Sequence, residues 1–220
     1  MNTTINILYR DKDIVVAVKP VGILSQSDKT GEPSMIEILC EQLKKEIFSI
    51  HRLDRAVGGV MVFAFTRTAA GKLSGMMGTD RFIKEYLAVV HGTPQNEKGM
   101  LCDYLLHDPK RNITTVVSKN DRNAKEALLS YDLLQTTEEN DSSLVHIHLH
   151  TGRTHQIRVQ FSSRNMPIVG DGKYGSRDRC GLALWSNRLS FSHPTRKKHL
   201  TFSALPDLTI TPWDRFSLEQ

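Results

Sequence analysis

Short apolar segments rich in β-branched residues recur along the whole chain, and they constrain its fold more than any other feature. Each has the length of a strand and is bounded by Gly, Pro, Asn or Asp, which favour turns. The predicted strands are residues 14–18, 60–65, 86–90, 128–134, 144–149, 182–185, 189–192 and 199–202. Because strands outnumber helices and do not alternate regularly with them, the sequence predicts an α+β fold with a mixed, mainly antiparallel sheet.

Three segments have the apolar spacing of helices, namely residues 34–46, 68–77 and 154–163. In the first, Ser34 followed by Glu37 predicts a capping box. In the third, we expect Thr154 to cap the helix. Residues 93–125 are polar and rich in turn-forming residues, which predicts loops around short strands.

The length of 220 residues suits one domain, and no Gly/Ser-rich linker divides it, so we predict a single domain over residues 1–220. No segment approaches 18 consecutive apolar residues, and the first residues lack the pattern of a signal peptide. These features predict a cytoplasmic protein without a membrane partner. No apolar seam is evident, which favours a monomer, and the three scattered cysteines are expected to be reduced.

The positive charge of the chain is concentrated in one part of the sequence. The net charge is +5, yet residues 151–200 contain ten Lys and Arg against two Asp, a local excess of eight. Such a window is typical either of a surface that binds a polyanion such as nucleic acid or of a solvated basic face.

The first motif with a chemical meaning is the segment His51-Arg52-Leu53-Asp54-Arg55, directly before a predicted buried strand. Two flanking arginines favour an ionised carboxylate, and a turn before a strand is a rigid place to present a reactive group. Asp54 is therefore a candidate nucleophile. A surface turn with salt bridges is the alternative.

The second motif covers residues 151–161, TGRTHQIRVQF. Helical spacing predicts Ile157 and Phe161 on the core side and places His155 and Arg158 together on another face. With Arg153 nearby, the helix start could receive an anion or a carboxylate. An ordinary amphipathic helix with a polar face is the alternative.

The third motif is Lys84-Glu85-Tyr86 at the beginning of a predicted strand. Alternation places Lys84 and Tyr86 on the same side of that strand. A tyrosine ring beside a cation suits stacking on a nucleobase, whereas most strand tyrosines only pack.

Taken together and in this order, these motifs resemble the RluA-type family of pseudouridine synthases. The segment Lys19-Pro-Val-Gly22 and the segment Pro167-Ile-Val-Gly-Asp171-Gly-Lys-Tyr174-Gly175 fit the same family pattern. The resemblance spans roughly residues 5 to 205. It implies flanking helices and a central cleft, and an enzyme that isomerises specific uridines in structured RNA to pseudouridine, with tRNA or rRNA stem-loops as substrates.

The resemblance also implies roles for individual residues. Asp54 would be the catalytic nucleophile, Arg158 would pair with it, and Tyr86 would stack on or assist at the flipped-out target base. Arg52 would help to displace the uridine from its stack. Other polar residues of the motifs are expected to contact RNA: His51, Lys84, Arg153 and His155. The reaction has no net redox change, so neither a metal nor an organic cofactor is expected.

Two departures from the family pattern are visible. This chain has Val57-Gly58-Gly59 where relatives usually have Thr-Ser-Gly, and Ile23 where Leu is common. The resemblance also predicts no N-terminal RNA-binding domain in this chain, since the Lys-Pro motif begins at residue 19. Neither departure replaces a proposed catalytic residue, so we expect the catalytic groups to be kept. The choice of RNA substrate is left open.

Two other classes of function are compatible with the residues. A metal-dependent hydrolase would use His146, His148 and His150, which alternate along one face of a predicted strand, although alternate residues lie about 7 Å apart and rarely reach one ion. A catalytically silent RNA-binding protein is the second alternative, and a pseudouridine assay would distinguish it.

Overall fold

The computed structural model describes residues 4–139 and 141–218. Its helices are α1 (Met35–Leu43), α2 (Arg67–Ser74) and α3 (Gln156–Ser162). Its strands are β1 (Asn6–Arg10), β2 (Ile14–Lys19), β3 (Phe48–Ser49), β4 (Gly58–Ala64), β5 (Phe82–His91), β6 (Lys98–Asp108), β7 (Ile113–Val117), β8 (Lys125–Thr136), β9 (Ser142–Leu149), β10 (Leu184–Ser192) and β11 (His199–Ser203). None of the helices in the described part is long and apolar enough to span a membrane.

The chain divides into two compact units. The first unit contains Met1–Lys84 and Trp185–Pro206, and the second contains Glu85–Leu184 and Asp207–Gln220. Strands β5 and β10 each begin in one unit and continue into the other. The interpretation of residues 1–220 as a single domain stays a prediction.

In the first unit the strands are ordered β1-β2-β4-β10-β11, with the short β3 also paired to β4. All these pairs are antiparallel except β4 with β10, which run parallel at Gly58 opposite Trp185. Every residue of β4 is buried, as expected of a central strand with apolar residues on both faces. The predicted strand over residues 60–65 is thereby confirmed, and the Asp54 motif directly precedes the most buried strand of the unit.

In the second unit the strands are ordered β5-β9-β8-β6-β7, and every neighbouring pair is antiparallel. The two units together confirm the α+β class and the mixed, mainly antiparallel pairing. The central cleft that the resemblance implies stays a prediction.

The local predictions differ from the structure at several element ends. Helix α1 ends at Leu43 because Lys44 adopts a left-handed conformation (φ 53°), three residues before the predicted end. Its start is as predicted, with the Glu37 carboxylate accepting the Ser34 N–H at 2.7 Å. The prediction of short strands and loops over residues 93–125 was wrong in part, since β6 alone has 11 residues.

Candidate active site

Asp54 lies in a tight turn between β3 and β4. The carbonyl oxygen of Asp54 accepts the Val57 N–H at 3.0 Å, which closes the turn. On one side the Ser25 hydroxyl donates to the Leu53 carbonyl at 2.7 Å and accepts the Leu53 N–H at 3.0 Å. The Gly22 N–H donates to the Arg55 carbonyl at 2.9 Å. The backbone on both sides of Asp54 is therefore fixed by residues 22–25.

Lys19, the last residue of β2, holds the same turn from within the protein. It is fully buried, and its ammonium donates to the carbonyl oxygens of Val57 at 2.7 Å, Pro20 at 3.0 Å and Arg55 at 3.2 Å. Three charge-assisted hydrogen bonds use all three donors of the ammonium group. One lysine side chain therefore links the Asp54 turn to the end of β2.

The charge of Lys19 is also linked to Asp54. Burial is the main cause that lowers the pKa of Lys19 from 10.5 to about 8, and Arg55 adds to this effect, whereas the Asp54 carboxylate favours the charged form of the lysine. The interaction is mutual, because two opposite charges stabilise each other. A buried ammonium thus supports a negative charge at the candidate nucleophile.

The two glycines that follow the turn are required by close packing. A Cβ atom at Gly58 would lie 2.2 Å from the Trp185 ring, and one at Gly59 (φ +121°) would lie 2.1 Å from the Ser186 carbonyl oxygen. The Trp185 indole is itself fixed by a 2.8 Å hydrogen bond to the Ala204 carbonyl. The departure from the family pattern at Gly58 is therefore explained: the tryptophan ring occupies the space that a serine side chain would need.

The structure places the two residues before Leu53 in different environments. The His51 Nε2 accepts the Val62 N–H at 3.2 Å, and the ring packs edge-on against Phe82. Burial, and to a smaller extent the charge of Lys84, lowers the pKa of His51 to about 3, so the ring is neutral. These contacts give His51 a packing role. Arg52 is exposed, as an RNA contact requires.

Helix α3 begins at the motif predicted to receive an anion, but Thr154 is not its cap. The N-cap is His155, in a left-handed conformation (φ 53°), and its Nδ1 lies 2.9 Å from the Tyr174 hydroxyl. The prediction that Thr154 caps the helix is therefore wrong. Ile157 and Phe161 are buried as predicted. Gln156, Arg158 and Gln160 are buried as well, so an amphipathic surface helix is excluded.

Arg158 forms a buried, bidentate ion pair with Asp171. Its Nε and Nη2 donate to the two carboxylate oxygens of Asp171, each at 2.7 Å. The side chains of Arg158 and Asp171 are 9% and 1% exposed. The Arg158 guanidinium also lies 5.0 Å from the centre of the Tyr174 ring. A guanidinium has five N–H donors, so a second carboxylate can still be accommodated. The pairing of Arg158 with Asp54 stays a prediction.

The remaining predicted site residues fall into two groups. Lys84 and Tyr86 of β5 are both buried, which agrees with the placement of both residues on one side of the strand by alternation. Arg153 is exposed, and its Nε donates to the Glu126 carbonyl at 2.8 Å. Arg153 therefore suits an RNA contact, whereas the buried His155 is positioned to orient Tyr174.

Among the described residues, His146 and His148 of β9 and the following His150 do not bring three ligand atoms within 4.8 Å of one another. His146 and His148 lie 4.0 Å and 3.7 Å from the Glu85 carboxylate, and the His148 ring stacks on His150. One group in the described part of the chain brings three ligand atoms within 4.8 Å of one another, and its members are Asp11, Asp13 and His193.

Comparison with known proteins places these residues in a family. The sequence model described as RNA pseudouridylate synthase matches residues 13–163, which include Asp54, Tyr86 and Arg158. The chain belongs to the RNA pseudouridylate synthase family. The tRNA pseudouridine synthase C of Haemophilus ducreyi is 34% identical and covers 92% of this chain and 91% of that relative. The Haemophilus influenzae protein of the same name is 32% identical, and the match covers 91% of this chain and 92% of that protein.

Solved structures of the family have the same fold. The human protein RNA Pseudouridylate Synthase Domain Containing 1 superimposes with a TM-score of 0.78 at 23% identity, covering 97% of this chain and 88% of that one. The human protein RNA Pseudouridylate Synthase Domain Containing 4 superimposes with a TM-score of 0.75 at 26% identity, covering 92% of this chain and 89% of that one. The pseudouridine synthase fold predicted from the motifs is confirmed.

From the sequence, Lys19 and Asp171 were assigned no roles of their own and were named only within segments that fit the family pattern. A signal for Lys19 was present, because alternation along β2 puts it on the same side as Val15 and Ala17, both buried. A lysine in such a position must satisfy its charge inside the protein. For Asp171 the sequence contains no comparable signal, since its partner Arg158 lies in another element.

Proposed function

We propose that Asp54 is the nucleophile with which this pseudouridine synthase converts uridine in RNA to pseudouridine. The observation that supports this role most strongly is the Asp54 turn, which Ser25 and Lys19 fix through its backbone. A reactive group gains most from such preorganisation, because a displacement of about 1 Å can cost about 100-fold in rate.

The chemistry of the reaction agrees with these residues. The bond between N1 of uracil and C1′ of ribose breaks, the base turns, and a bond forms between C5 and C1′, while the proton leaves C5 and N1 gains one. Nothing is oxidised or reduced. An ionised carboxylate can attack the sugar or the base, and the Lys19 ammonium supports its charge.

Tyr86 and Arg158 are proposed to complete the site. Tyr86 would offer its ring to the target base, which must leave its stack at a cost of a few kcal/mol. Arg158 would pair with Asp54, as the family motif implies. We expect the ion pair with Asp171 to keep the Arg158 guanidinium in one orientation, which is the role of a supporting contact in a preorganised site.

The RNA substrate is proposed to be a stem-loop of tRNA, bound by a monomer. The names of the two Haemophilus relatives, tRNA pseudouridine synthase C, support this choice. Arg52 and Arg153, both exposed, are proposed to contact its backbone. Single uridines in loops need the least energy to unstack.

The substrate can be identified by mapping pseudouridines in RNA from cells with and without the protein. The same positions should then be modified when the purified protein acts on unmodified tRNA transcripts. A tRNA position that is lost in the cells and restored in vitro is the expected result. Loss confined to ribosomal RNA would overturn the tRNA assignment, and absence of pseudouridine formation on both RNA classes would favour a silent RNA-binding protein.

A further inference from the structure

A pocket of about 490 Å³ lies in the first unit between α2 and the loop that joins β10 to β11. Four exposed cations line it: Lys72, Arg81, Arg196 and Lys197. Gly71 and Gly75 form another part of its wall, and no acidic residue is among the described residues that line it. We call this feature the basic pocket. Its volume is that of a ligand site, and its charge suits an anion.

The loop that presents Arg196 and Lys197 is held in one conformation by its own backbone and by His193. The His193 N–H donates to the Lys198 carbonyl at 2.8 Å. The His193 Nδ1 accepts the N–H groups of Thr195 at 3.2 Å and Arg196 at 3.1 Å. The backbone that carries Arg196 and Lys197 is therefore fixed.

The buried base of this loop is tied to the turn between β1 and β2. Because Nδ1 of His193 is an acceptor, its Nε2 carries the proton and donates to the Asp11 carboxylate at 2.8 Å. The Thr195 hydroxyl donates to Asp13. His193 is 1% exposed, and both of its ring nitrogens are bonded to protein groups, so this cluster is a structural framework.

Asp11 is a stable anchor for the framework. Burial by itself would raise its pKa, but hydrogen bonds from the backbone of Asp13 and Ile14 and from the side chains of His193 and Tyr9 outweigh burial and lower the pKa to about 2. The carboxylate thus stays ionised at neutral pH. Arg196, at 3.5 Å from Asp11 and 49% exposed, is partly neutralised by it. Lys72, Arg81 and Lys197 are the other cations of the pocket.

We propose that the basic pocket binds phosphate groups of the RNA backbone away from the target uridine. This inference rests on the proposed function, which makes RNA the partner. Four cations around a concave surface match a chain of phosphates, and a fixed loop lowers the entropy lost when they are engaged. The pocket shares no residue with the Asp54 turn, so it would contribute to affinity and orientation of the RNA and not to the chemical step.

The test compares two double variants of the full-length protein that change the net charge equally. Lys72→Glu with Lys197→Glu alters the pocket, whereas Lys29→Glu with Lys44→Glu alters exposed lysines elsewhere in the same unit. The dissociation constant of a fluorescent tRNA stem-loop is measured for each protein over a series of salt concentrations. The neutral pair Lys72→Gln with Lys197→Gln serves as a milder second variant.

We expect the pocket variant to bind RNA at least about tenfold more weakly and to lower the slope of log K against log salt by about 1 to 2, since each lost phosphate contact removes about 0.7 to 0.9. The neutral pair should fall between this variant and the wild type. The control should keep the slope of the wild type. At saturating RNA, the pocket variant should form pseudouridine at the rate of the wild type.

Equal slopes and affinities for the pocket and control variants would overturn the proposal, and so would a large loss of rate at saturating RNA. A failure of the proposed function gives a different result. In that case the wild type forms no pseudouridine, while the salt dependence of RNA binding still distinguishes the pocket variant from the control.

Discussion

Replacing Lys19 with methionine tests how the Asp54 turn is held. The change keeps the apolar stem and removes the ammonium that donates to three carbonyl oxygens. The bond to Val57 is buried, so its loss should cost about 3 kcal/mol, and the other two, which water can reach, about 1 kcal/mol each. Removal of the buried charge offsets about 3 kcal/mol of this loss in the free energy of unfolding, because burial lowers the pKa of Lys19 from 10.5 to about 8.

The expected net loss is therefore about 2 kcal/mol in the free energy of unfolding, measured by urea denaturation. The turnover number should fall by about 10- to 100-fold, because the nucleophile loses its fixed position, while RNA affinity stays near that of the wild type. Lys29→Met, which removes an exposed lysine, is the matched control and should change neither quantity. Wild-type stability and turnover in Lys19→Met would refute the reasoning.

The same lysine predicts a dependence on pH. Its pKa in the folded protein, about 8, lies below 10.5, so between these values the unfolded chain binds more protons and the free energy of unfolding rises with pH. The rise from this group is up to about 3 kcal/mol and should be absent in Lys19→Met. Activity should change in the opposite direction, falling above about pH 8 as the charge beside Asp54 is lost. A wild-type rate that is constant from pH 7 to about 9.5 would contradict this role.

Three further predictions concern the ion pair, the glycine turn and metals. Arg158→Met should lower the free energy of unfolding by about 3 to 5 kcal/mol, because Asp171 is left buried without its partner, and adding Asp171→Asn should recover part of that loss. A double-mutant cycle that shows no coupling between the two residues would exclude a stabilising ion pair. Gly58→Ser should destabilise the protein by at least about 1 kcal/mol through collision with Trp185, and Trp185→Ala should reduce this penalty; equal penalties in both backgrounds would contradict the packing argument. Activity should persist in EDTA in a buffer that keeps the RNA folded, and zinc-reversible inactivation would favour the alternative in which His146, His148 and His150 bind a metal.

Local signals predicted the parts of the fold that local physics determines. The capping interaction of Glu37 with Ser34 and the buried strand after Asp54 follow from residues close together in sequence. The length of β6 was not predicted because its sequence, KGMLCDYLLHD, mixes polar and apolar residues without regular alternation. That strand is stabilised by pairing with β8, whose paired residues lie 20 to 34 positions further along the chain, and local propensity does not reveal such pairing.

The candidate site shows the same limit. Its motifs could be recognised because each is a short segment, and Asp54 stood out between two arginines. The partners of these segments could not be predicted, since Lys19 reaches the turn across 38 residues to Val57 and Arg158 reaches Asp171 across a loop. The cap of α3 was wrongly assigned to Thr154, because the true N-cap, His155, has a left-handed conformation that is unusual for a residue other than glycine. The hydrogen bond between His155 and Tyr174 accompanies this conformation.

The most direct test of the account is the replacement of Asp54 with asparagine, which keeps the shape of the side chain and removes the nucleophile. Turnover is followed by the release of tritium from C5-labelled uridine in tRNA, and RNA binding is measured on the same preparation. We expect a loss of activity on the order of 1,000-fold or more, with RNA affinity within about threefold of the wild type. Substantial turnover by a folded, RNA-binding Asp54→Asn protein would show that Asp54 is not the nucleophile.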